Sequence, residues 1–260
     1  MPWVEIVDRT RIEALFADDP RTFLEVLDEN QRGVDGLVTV FAPESPPESP
    51  PDSVTDTAKT CFAVRWGQRA LGLGSKAVLR AFRVGDVERL IPDLPWRGHL
   101  EVRLPFWASG IVGAMFRTDA LTAEATYELK PEAVRPPAAL SYCVEVSKDE
   151  DDILGPIFPK RVPGSPAFLL APGGGLASLA AVTHQYGGMA RVSVYTVEEA
   201  RGRGFGRAVL VALARALMRQ NLVPTVTVDL GRVAEVRMVE ASGFSLHDVG
   251  LRVLLSGQQE

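Results

Sequence analysis

The chain has 260 residues, of which 46% are hydrophobic and 23% charged, with a formal net charge of −5 at pH 7. This near-average composition excludes a wholly disordered chain, a collagen and a disulfide scaffold. The acidic balance offers no global field for nucleic acid or anionic lipid, no apolar run reaches the roughly 20 residues of a membrane span, and a signal-peptide pattern is lacking. Two cysteines, Cys61 and Cys143, are too few for a zinc site. The sequence predicts a reduced, cytoplasmic protein with no metal, built as one large or two modest domains.

The N-terminal half, residues 1–135, predicts an α/β domain. Apolar residues at helical spacing between Thr10 and Asn30 predict two helices, which Pro20 separates. The elements predicted after these two helices are a strand at Gly36–Phe41, a strand at Thr60–Trp66 and a helix at Val78–Leu90. Irregular chain is expected after that third helix, where Pro92, Pro95 and Pro105 occur.

A Pro/Glu/Ser-rich segment at 43–57 lies between the two predicted strands. Proline fixes φ and removes backbone donors, so the segment favours extended conformations and has no face to bury. We interpret it as an acidic loop that connects two strands of one domain. The alternative is a docking site for a partner with an aromatic-lined groove.

A second proline cluster, Pro131 to Pro137, predicts a domain boundary, so the C-terminal domain is expected at 136–260. A strand at Leu140–Val146 and a short helix after the acidic run Asp149–Asp152 are expected first. Three strands joined by glycine turns then predict an antiparallel meander. These strands are Ala167–Ala171, Leu176–Thr183 and Arg191–Val197.

The segment Arg201–Arg207, Arg-Gly-Arg-Gly-Phe-Gly-Arg, follows the last of these strands directly. An amphipathic helix follows it, with Leu210, Leu213 and Leu217 on one face. A helix N-terminus exposes unpaired N–H groups and partial positive charge, and glycines let the backbone approach an anion closely. The P-loop ending Gly-Lys-Ser/Thr is absent, and the glycines are spaced by two rather than as Gly-x-Gly-x-x-Gly. The order strand, glycine loop, helix therefore predicts a phosphate site of another kind.

This loop resembles the acyl-coenzyme A loop of the GNAT superfamily of N-acetyltransferases, Gln/Arg-x-x-Gly-x-Gly/Ala after the fourth strand. Pro224–Leu230 stands at the family's fifth strand, Gly243-Phe244 matches the Gly-Phe that ends the next helix, and Leu251–Leu255 suits the closing strand. The resemblance implies a layered α+β fold with a mixed, mostly antiparallel central sheet, splayed between strands four and five. The layout of 1–135 is similar to the glycine N-acyltransferase-like branch, in which a degenerate copy of the same fold precedes the active one.

The resemblance also implies acetyl-CoA as the acyl donor and places its parts on this chain. The pantetheine arm would pair like an added strand with the backbone of Val194, Tyr195 and Thr196. The pyrophosphate would lie on the amides from Gly202 through Arg207, a stretch with Arg203, Gly204, Phe205 and Gly206, and Arg201 adds charge there. Where the family often has Asn at the start of the helix after strand five, this chain has Arg232, which completes the set of coenzyme-binding candidates.

Catalytic candidates are less distinctive. Glu198 and Glu199 follow strand four and are either bases that act through water or solvated carboxylates. Asp229 ends strand five and either faces the cleft or caps the next helix. Tyr195 is a further candidate. Many family members have a Tyr, a general acid for the coenzyme thiolate, four residues before the glycine of Gly-Phe, but the matching Val239 cannot donate a proton.

The predicted activity is acetyl transfer from acetyl-CoA to the primary amine of a small molecule or amino acid. Direct attack in a ternary complex would draw its rate from proximity and from a backbone N–H that polarises the thioester carbonyl. No nucleic acid, membrane or metal is expected to take part. Three alternatives remain open: a non-catalytic acyl-CoA-binding or regulatory protein, to which Val239 points, a peptide or protein N-acetyltransferase, and an acyl-CoA decarboxylase or hydrolase on the same scaffold.

Overall fold

A computed structural model describes residues 3–6, 13, 16, 24, 27–28, 39–43, 62–66, 75–80, 87–88, 99–146 and 154–256. The chain forms two compact units: the first is Met1–Glu124 with Val249–Glu260, and the second is Ala125–Asp248. The chain passes from one unit to the other within strand β6 (Thr118–Glu128) and returns within strand β12 (Ser245–Ser256).

The boundary between these units differs from the boundary between the predicted ranges 1–135 and 136–260. The sequence break at Pro131 to Pro137 lies beyond the division, inside the second unit. The division falls within β6, which contains neither proline nor glycine and so leaves no compositional mark. The assignment of a separate role to each predicted range stays a prediction.

In the first unit, three antiparallel strand pairs are followed by one parallel pair. β1 pairs with β2, β2 with β3 and β3 with β4 in antiparallel orientation, and β4 pairs in parallel with β5. The end of β12 then pairs antiparallel with β5. A 3-10 turn at Phe106–Ala108 leads from β5 into helix α1 (Ser109–Met115). The strands are β1 (Trp3–Ile6), β2 (Thr39–Pro43), β3 (Phe62–Trp66), β4 (Ser75–Arg80) and β5 (His99–Pro105).

Two sequence predictions for the first unit are wrong in part. The helix expected at Val78–Leu90 begins instead as β4, because Ser75–Arg80 pairs with a strand on each side; Val87 and Glu88 are helical. Irregular chain was expected around Pro92 to Pro105, but β5 alternates, burying Leu100, Val102 and Leu104. The Pro/Glu/Ser-rich segment lies, beyond Pro43, outside the described residues, and its flanking strands β2 and β3 pair with each other.

The core of the first unit lies on one face of β5 and β12. Alternate residues of both strands are buried there, as the period of two along a strand requires. Helix α1 covers them with Val112. The buried cluster comprises Val87, Leu100, Val102, Leu104, Ala108, Val112, Leu251, Val253 and Leu255.

The second unit repeats this order of pairing. β7 pairs with β8, β8 with β9 and β9 with β10 in antiparallel orientation, and β10 pairs in parallel with β11. Helix α2 (Phe205–Arg219) connects the parallel strands, and α3 (Val233–Ala241) follows β11. The layered α+β fold with a mixed, mostly antiparallel sheet, preceded by a second copy, is therefore confirmed. The strands are β7 (Val144–Glu145), β8 (Ala167–Leu170), β9 (Ser178–Tyr186), β10 (Met189–Thr196) and β11 (Val223–Asp229).

The meander of the second unit agrees with the sequence prediction, and the chain before it does not. The expected strand Leu140–Val146 is instead a 3-10 helix at Ala138–Tyr142, preceded by Pro137, with only Val144 and Glu145 in a strand. The start of the helix expected after Asp149–Asp152 falls outside the described residues, which resume at Leu154, a helical residue.

Helix α2 is fixed in place by an almost wholly apolar face. Leu210, Leu213 and Leu217 are fully buried, as their spacing predicts, and the helix packs on β8, β9 and β10. It begins after Gly204 and ends at Arg219, where Gln220 and Asn221 donate to carbonyls of the last turn. This packing holds the N-terminus of α2 at the end of β10.

Candidate functional site: an open edge between β10 and β11

The parallel strands β10 and β11 are paired at one end and open at the other. Their pairing covers Met189–Arg191 and Val223–Thr225, although β10 continues to Thr196 and β11 to Asp229. On its other side, β10 stays paired with β9 as far as Thr196. The splay that the resemblance implies is thus present in this sheet.

A β-bulge marks the start of the opening. The register between β9 and β10 moves from Arg191 opposite His184 to Val192 opposite Val182, so Thr183 is an extra residue on β9. A bulge increases the local twist and bends the bulged strand. The bulge therefore coincides with the point after Arg191 at which β10 and β11 are no longer paired.

The backbone of the open stretch of β10 presents hydrogen-bonding groups to the gap. The carbonyl of Ala190 accepts from the Thr225 hydroxyl on the β11 side, whereas the carbonyl of Tyr195 accepts from Ser178 on the β9 side. Because successive residues of a strand direct their backbone groups to opposite sides, Val192, Val194 and Thr196 direct theirs into the gap. An extended ligand can pair with this edge as a strand would.

A cleft of about 810 Å³ occupies the opening. It brings together every coenzyme-binding residue that the sequence predicts except Arg203, whose guanidinium lies over the Phe205 ring, 4.8 Å from its centroid. Residues that sequence reasoning missed also line the cleft, among them Ser193, Thr227 and Met238. The lining residues are Val192–Thr196, Ala200–Gly202, Gly204–Arg207, Val226–Val228, Arg232–Glu235 and Met238.

The glycine loop shapes the end of the cleft nearest α2. Gly202 and Gly204 have φ of 74° and 79°, the left-handed region that favours glycine. A Cβ on Gly206 would lie 2.9 Å from Thr196 Oγ1 and 3.0 Å from Met238 Sδ, so a larger residue at this position has to displace these side chains. Among the described residues no side chain caps α2, which leaves its first-turn N–H groups for an anion.

The arginines around the cleft differ in their hydrogen-bond partners within the protein. Arg201 is exposed at the rim. Arg207 donates from Nη2 to the carbonyl of Arg135 at 3.0 Å. Arg232 donates from Nη1 to Glu235 Oε1 at 3.0 Å, and this hydrogen bond and the charge of Glu235 raise the pKa of Arg232. Arg201 is therefore the arginine best placed to meet a phosphate without exchanging a protein partner.

The acidic catalytic candidates are not among the residues that line the cleft. Glu198 and Glu199 form an exposed 3-10 turn before the glycine loop. Asp229 accepts from the Gly231 N–H through Oδ1 at 2.8 Å, and its Oδ2 lies 4.0 Å from Arg232 Nε. Its carboxylate therefore stabilises the turn that leads into α3 but does not cap that helix, whose N-terminus has no side-chain cap among the described residues.

Tyr195 lies in the cleft lining with 40% of its surface exposed, whereas Val239 is fully buried in α3. Tyr195 stands three residues from Val192 and one from Val194, so its side chain lies on the strand face opposite theirs. Of the described residues that line the cleft, it alone has a phenolic hydroxyl.

The Gly-Phe motif at the end of α3 has a structural role. Gly243 has φ of 100°, and a Cβ there would overlap the carbonyl oxygen of Ala133. The neighbouring Ser242 carbonyl accepts from the N–H of Arg135, and Phe244 is buried. The buried Tyr127 donates to Glu240 Oε1 at 3.3 Å, and the pKa of Tyr127 is raised by its burial and by the charge and hydrogen bond of Glu240. These contacts secure the C-terminus of α3.

Comparison with known proteins supports the same fold. Residues 174–253 match the family model described as FR47-like protein. No curated protein matches the sequence. Together with the solved structures below, this match confirms the resemblance to the GNAT superfamily, while the glycine N-acyltransferase-like branch stays a prediction.

Three solved structures illustrate the likeness, and at these identities it shows the fold alone. A GCN5-related N-acetyltransferase from Sphaerobacter thermophilus is 11% identical with a TM-score of 0.56, over 98% of this chain and 95% of that one. A tandem GNAT protein from the clavulanic acid biosynthesis pathway is 12% identical with a TM-score of 0.56, over 99% of both chains. A Drosophila protein is 9% identical with a TM-score of 0.66, also over 99% of both.

The described residues contain neither a membrane-spanning helix nor a cluster of metal ligands. None of the helices there is long and apolar enough to cross a bilayer. Across the same residues, no three or more His, Cys, Asp or Glu side chains are grouped so that they could hold a metal ion.

Proposed function

We propose that this protein is an acetyl-CoA-dependent N-acyltransferase that acetylates the primary amine of a small molecule or amino acid. The observation that carries the proposal is the open edge of β10, which ends at a glycine loop and an uncapped helix N-terminus. An extended arm that ends in phosphates fits both parts of this cleft: the strand edge offers alternating N–H and C=O groups, and α2 offers first-turn amides. The predicted cytoplasmic location stays a prediction.

The cleft supplies the groups that direct amine attack requires. A backbone N–H of the open edge, that of Val194, polarises the thioester carbonyl. The amine nitrogen attacks the carbonyl carbon, an N–C bond forms, the C–S bond breaks and the amine proton leaves to water. Of the described cleft-lining residues, Glu235 is the one carboxylate, and it is paired with Arg232, so we assign proton removal to water.

Tyr195 is the residue we assign to protonation of the leaving thiolate. Its hydroxyl is the cleft group that can take the role that Val239 cannot. With Tyr195→Phe we expect kcat to fall about tenfold, which is less than the roughly 10²-fold minimum typical of general acid catalysis, since water replaces the phenol in part. Unchanged kcat, with unchanged dependence of rate on pH, contradicts this role.

The function itself is tested in two steps with the full chain. Calorimetry measures acetyl-CoA binding, with dephosphorylated pantetheine as the control that lacks phosphates. Thiol release from acetyl-CoA is then followed with glycine, L-lysine, ethanolamine and spermidine. We expect binding and amine-dependent release. Failure of acetyl-CoA to bind refutes the proposal.

A non-catalytic acyl-CoA-binding protein is the second candidate. It is favoured by Val239 and by the position of Glu198 and Glu199 outside the cleft lining. Binding of acetyl-CoA without thiol release for any amine supports this candidate against the enzyme. Release of thiol without an amine would instead support a hydrolase.

A further inference from the structure

Two buried hydroxyls of β9 contact the open stretch of β10, one near each end. Ser178, fully buried, donates to the carbonyl of Tyr195 at 2.9 Å and lies 2.9 Å from Thr196 Oγ1. Thr183, the bulge residue with 8% exposure, donates to the carbonyl of Arg191 at 3.4 Å and lies 3.3 Å from Ser193 Oγ. In each case a β9 hydroxyl binds a β10 carbonyl and a second hydroxyl of β10.

The direction of these hydrogen bonds follows from proton counting. A hydroxyl has one proton to donate, and a carbonyl oxygen can only accept. Ser178 directs its proton to Tyr195, so in the pair with Thr196 it is Thr196 that donates. By the same argument Ser193 donates to Thr183. The distances make the Ser178 pair the stronger of the two.

Thr196 and Ser193 both line the cleft. Each donates its hydroxyl proton to a residue of β9, Ser178 or Thr183, and not to the cleft. What each hydroxyl presents to the cleft is lone pairs. A ligand group that meets either residue must donate a hydrogen bond, so an N–H or O–H is favoured there and a phosphate or carboxylate oxygen is disfavoured.

The two hydroxyls lie on opposite faces of β10, because three positions separate them. Thr196 is on the face of α2, where its Oγ1 lies 2.9 Å from a Cβ placed on Gly206. Ser193 is on the face of Tyr195. The first face leads to the glycine loop, where the coenzyme's phosphates would lie, and the second is the face of Tyr195.

We propose that Thr196 accepts a hydrogen bond from an amide N–H of the coenzyme's pantetheine arm, and that Ser193 accepts one from the N–H of the attacking amine. Ser178 and Thr183 are positioning residues that turn these hydroxyls into acceptors. An amine held by one of its N–H bonds keeps its lone pair free to attack the thioester. This inference rests on the proposed function and identifies two residues that discriminate between its substrates.

The test compares two variants that serve as controls for each other, Thr196→Val and Ser193→Ala. Calorimetry gives the Kd of acetyl-CoA, and thiol release gives the KM of whichever amine of the panel reacts. Since one hydrogen bond is lost, Thr196→Val should raise the Kd of acetyl-CoA about three- to tenfold and leave the amine KM unchanged. Ser193→Ala should raise the amine KM by a similar factor and leave the Kd unchanged.

Variants of the positioning residues Ser178 and Thr183 distinguish loss of the hydroxyl from loss of packing. Ser178→Ala should weaken acetyl-CoA binding as Thr196→Val does. The conservative variant Ser178→Thr keeps the hydroxyl and should bind acetyl-CoA as wild-type protein does. Thr183→Val and Thr183→Ser should act in the same way on the amine KM. Melting temperatures show whether each variant remains folded. If a variant of Ser178 or Thr183 fails to fold, the test relies on Thr196→Val or Ser193→Ala instead.

The outcomes separate the inference from the proposed function. If wild-type protein binds acetyl-CoA and Thr196→Val binds it equally well, the coenzyme contact is wrong while the function stands. If Ser193→Ala leaves the amine KM unchanged in an active enzyme, the amine contact is wrong. If wild-type protein releases no thiol with any amine, the proposed function fails and the amine contact with it, and calorimetry still decides the coenzyme contact.

Discussion

The two units share one order of strand pairing but treat their parallel pair differently. In the first unit, β4 and β5 pair over Ser75–Val78 and Leu100–Arg103, and only two residues of β4 follow. In the second, β10 extends for the five residues Val192–Thr196 beyond its last paired residue. The chain after β10 has three glycines in Arg201–Arg207, while Ala81–Asp86 after β4 has one. Among the described residues, an open edge and a glycine turn coincide in the second unit alone, and the ligand site is proposed there because function depends on the site and not on the fold.

The largest expected effect comes from filling the glycine loop. Gly206→Glu should abolish acetyl-CoA binding, a loss of at least about 100-fold, because its side chain meets Thr196 and Met238 and its charge repels phosphate. The matched control is Gly110→Glu in α1, where a Cβ meets nothing within 4 Å. Calorimetry that finds equal binding for both variants would remove the glycine loop from the site.

The next effect concerns stability in the second unit. Gly243→Ala should lower the free energy of unfolding by about 2–4 kcal/mol, since the new Cβ overlaps the Ala133 carbonyl and φ is 100°. Gly113→Ala in α1 is its counterpart in the first unit. A Cβ has open space there, and the change should stabilise the helix by about 0.5–1 kcal/mol. Denaturant titration of both variants measures the difference, and equal stability contradicts the packing described.

Cys143 provides a test that depends on pH. Burial raises the pKa of its thiol to about 11, because the thiolate is the form that loses hydration. At pH 8 it should hold about a hundredfold less thiolate than an unperturbed thiol and react with iodoacetamide correspondingly slowly. The reaction rate should rise as pH approaches 11. The measurement uses Cys61→Ser, so that Cys143 is the one thiol, with free cysteine as the reference; an equal rate at pH 8 refutes the burial.

The smallest effect is expected from the acidic turn. Glu198→Gln and Glu199→Gln should each change kcat/KM by less than about twofold, because exposed carboxylates outside the cleft lining contribute little. Their pH–rate profiles should match that of wild-type protein. Loss of the ionisation that limits the rate at low pH, in either variant, would identify that glutamate as a base acting through water.

Much of the second unit was predictable from the sequence because its signals are local. Alternating apolar residues and glycine turns predict the meander, and Leu210, Leu213 and Leu217 predict the buried face of α2. Predictions failed where pairing partners decided the structure. Ser75–Arg80 has residues that suit a helix, yet it is a strand because β3 and β5 lie on both sides of it.

The site divides in the same way. The glycine loop was visible in the sequence, since Gly202, Gly204 and Gly206 stand directly before a helix. Ser193 and Thr227 were not predictable, because an isolated hydroxyl residue in a strand has no signal of its own. Their place in the cleft depends on where β10 leaves β11.

The sequence by itself determined the meander, the glycine loop and the residues of α2, because each depends on conformational preferences and periodicity within one segment, and the resemblance to a known family implied the class of fold. Only the tertiary structure decided where the chain passes from one unit to the other, which residues of β10 are not paired with β11 and which hydroxyls hydrogen-bond to each other. Those properties depend on the register between paired strands, as when Thr183 of β9 bulges opposite Arg191 and Val192 of β10. That one extra residue, whose effect no local pattern reveals, marks the point at which the strand edge opens.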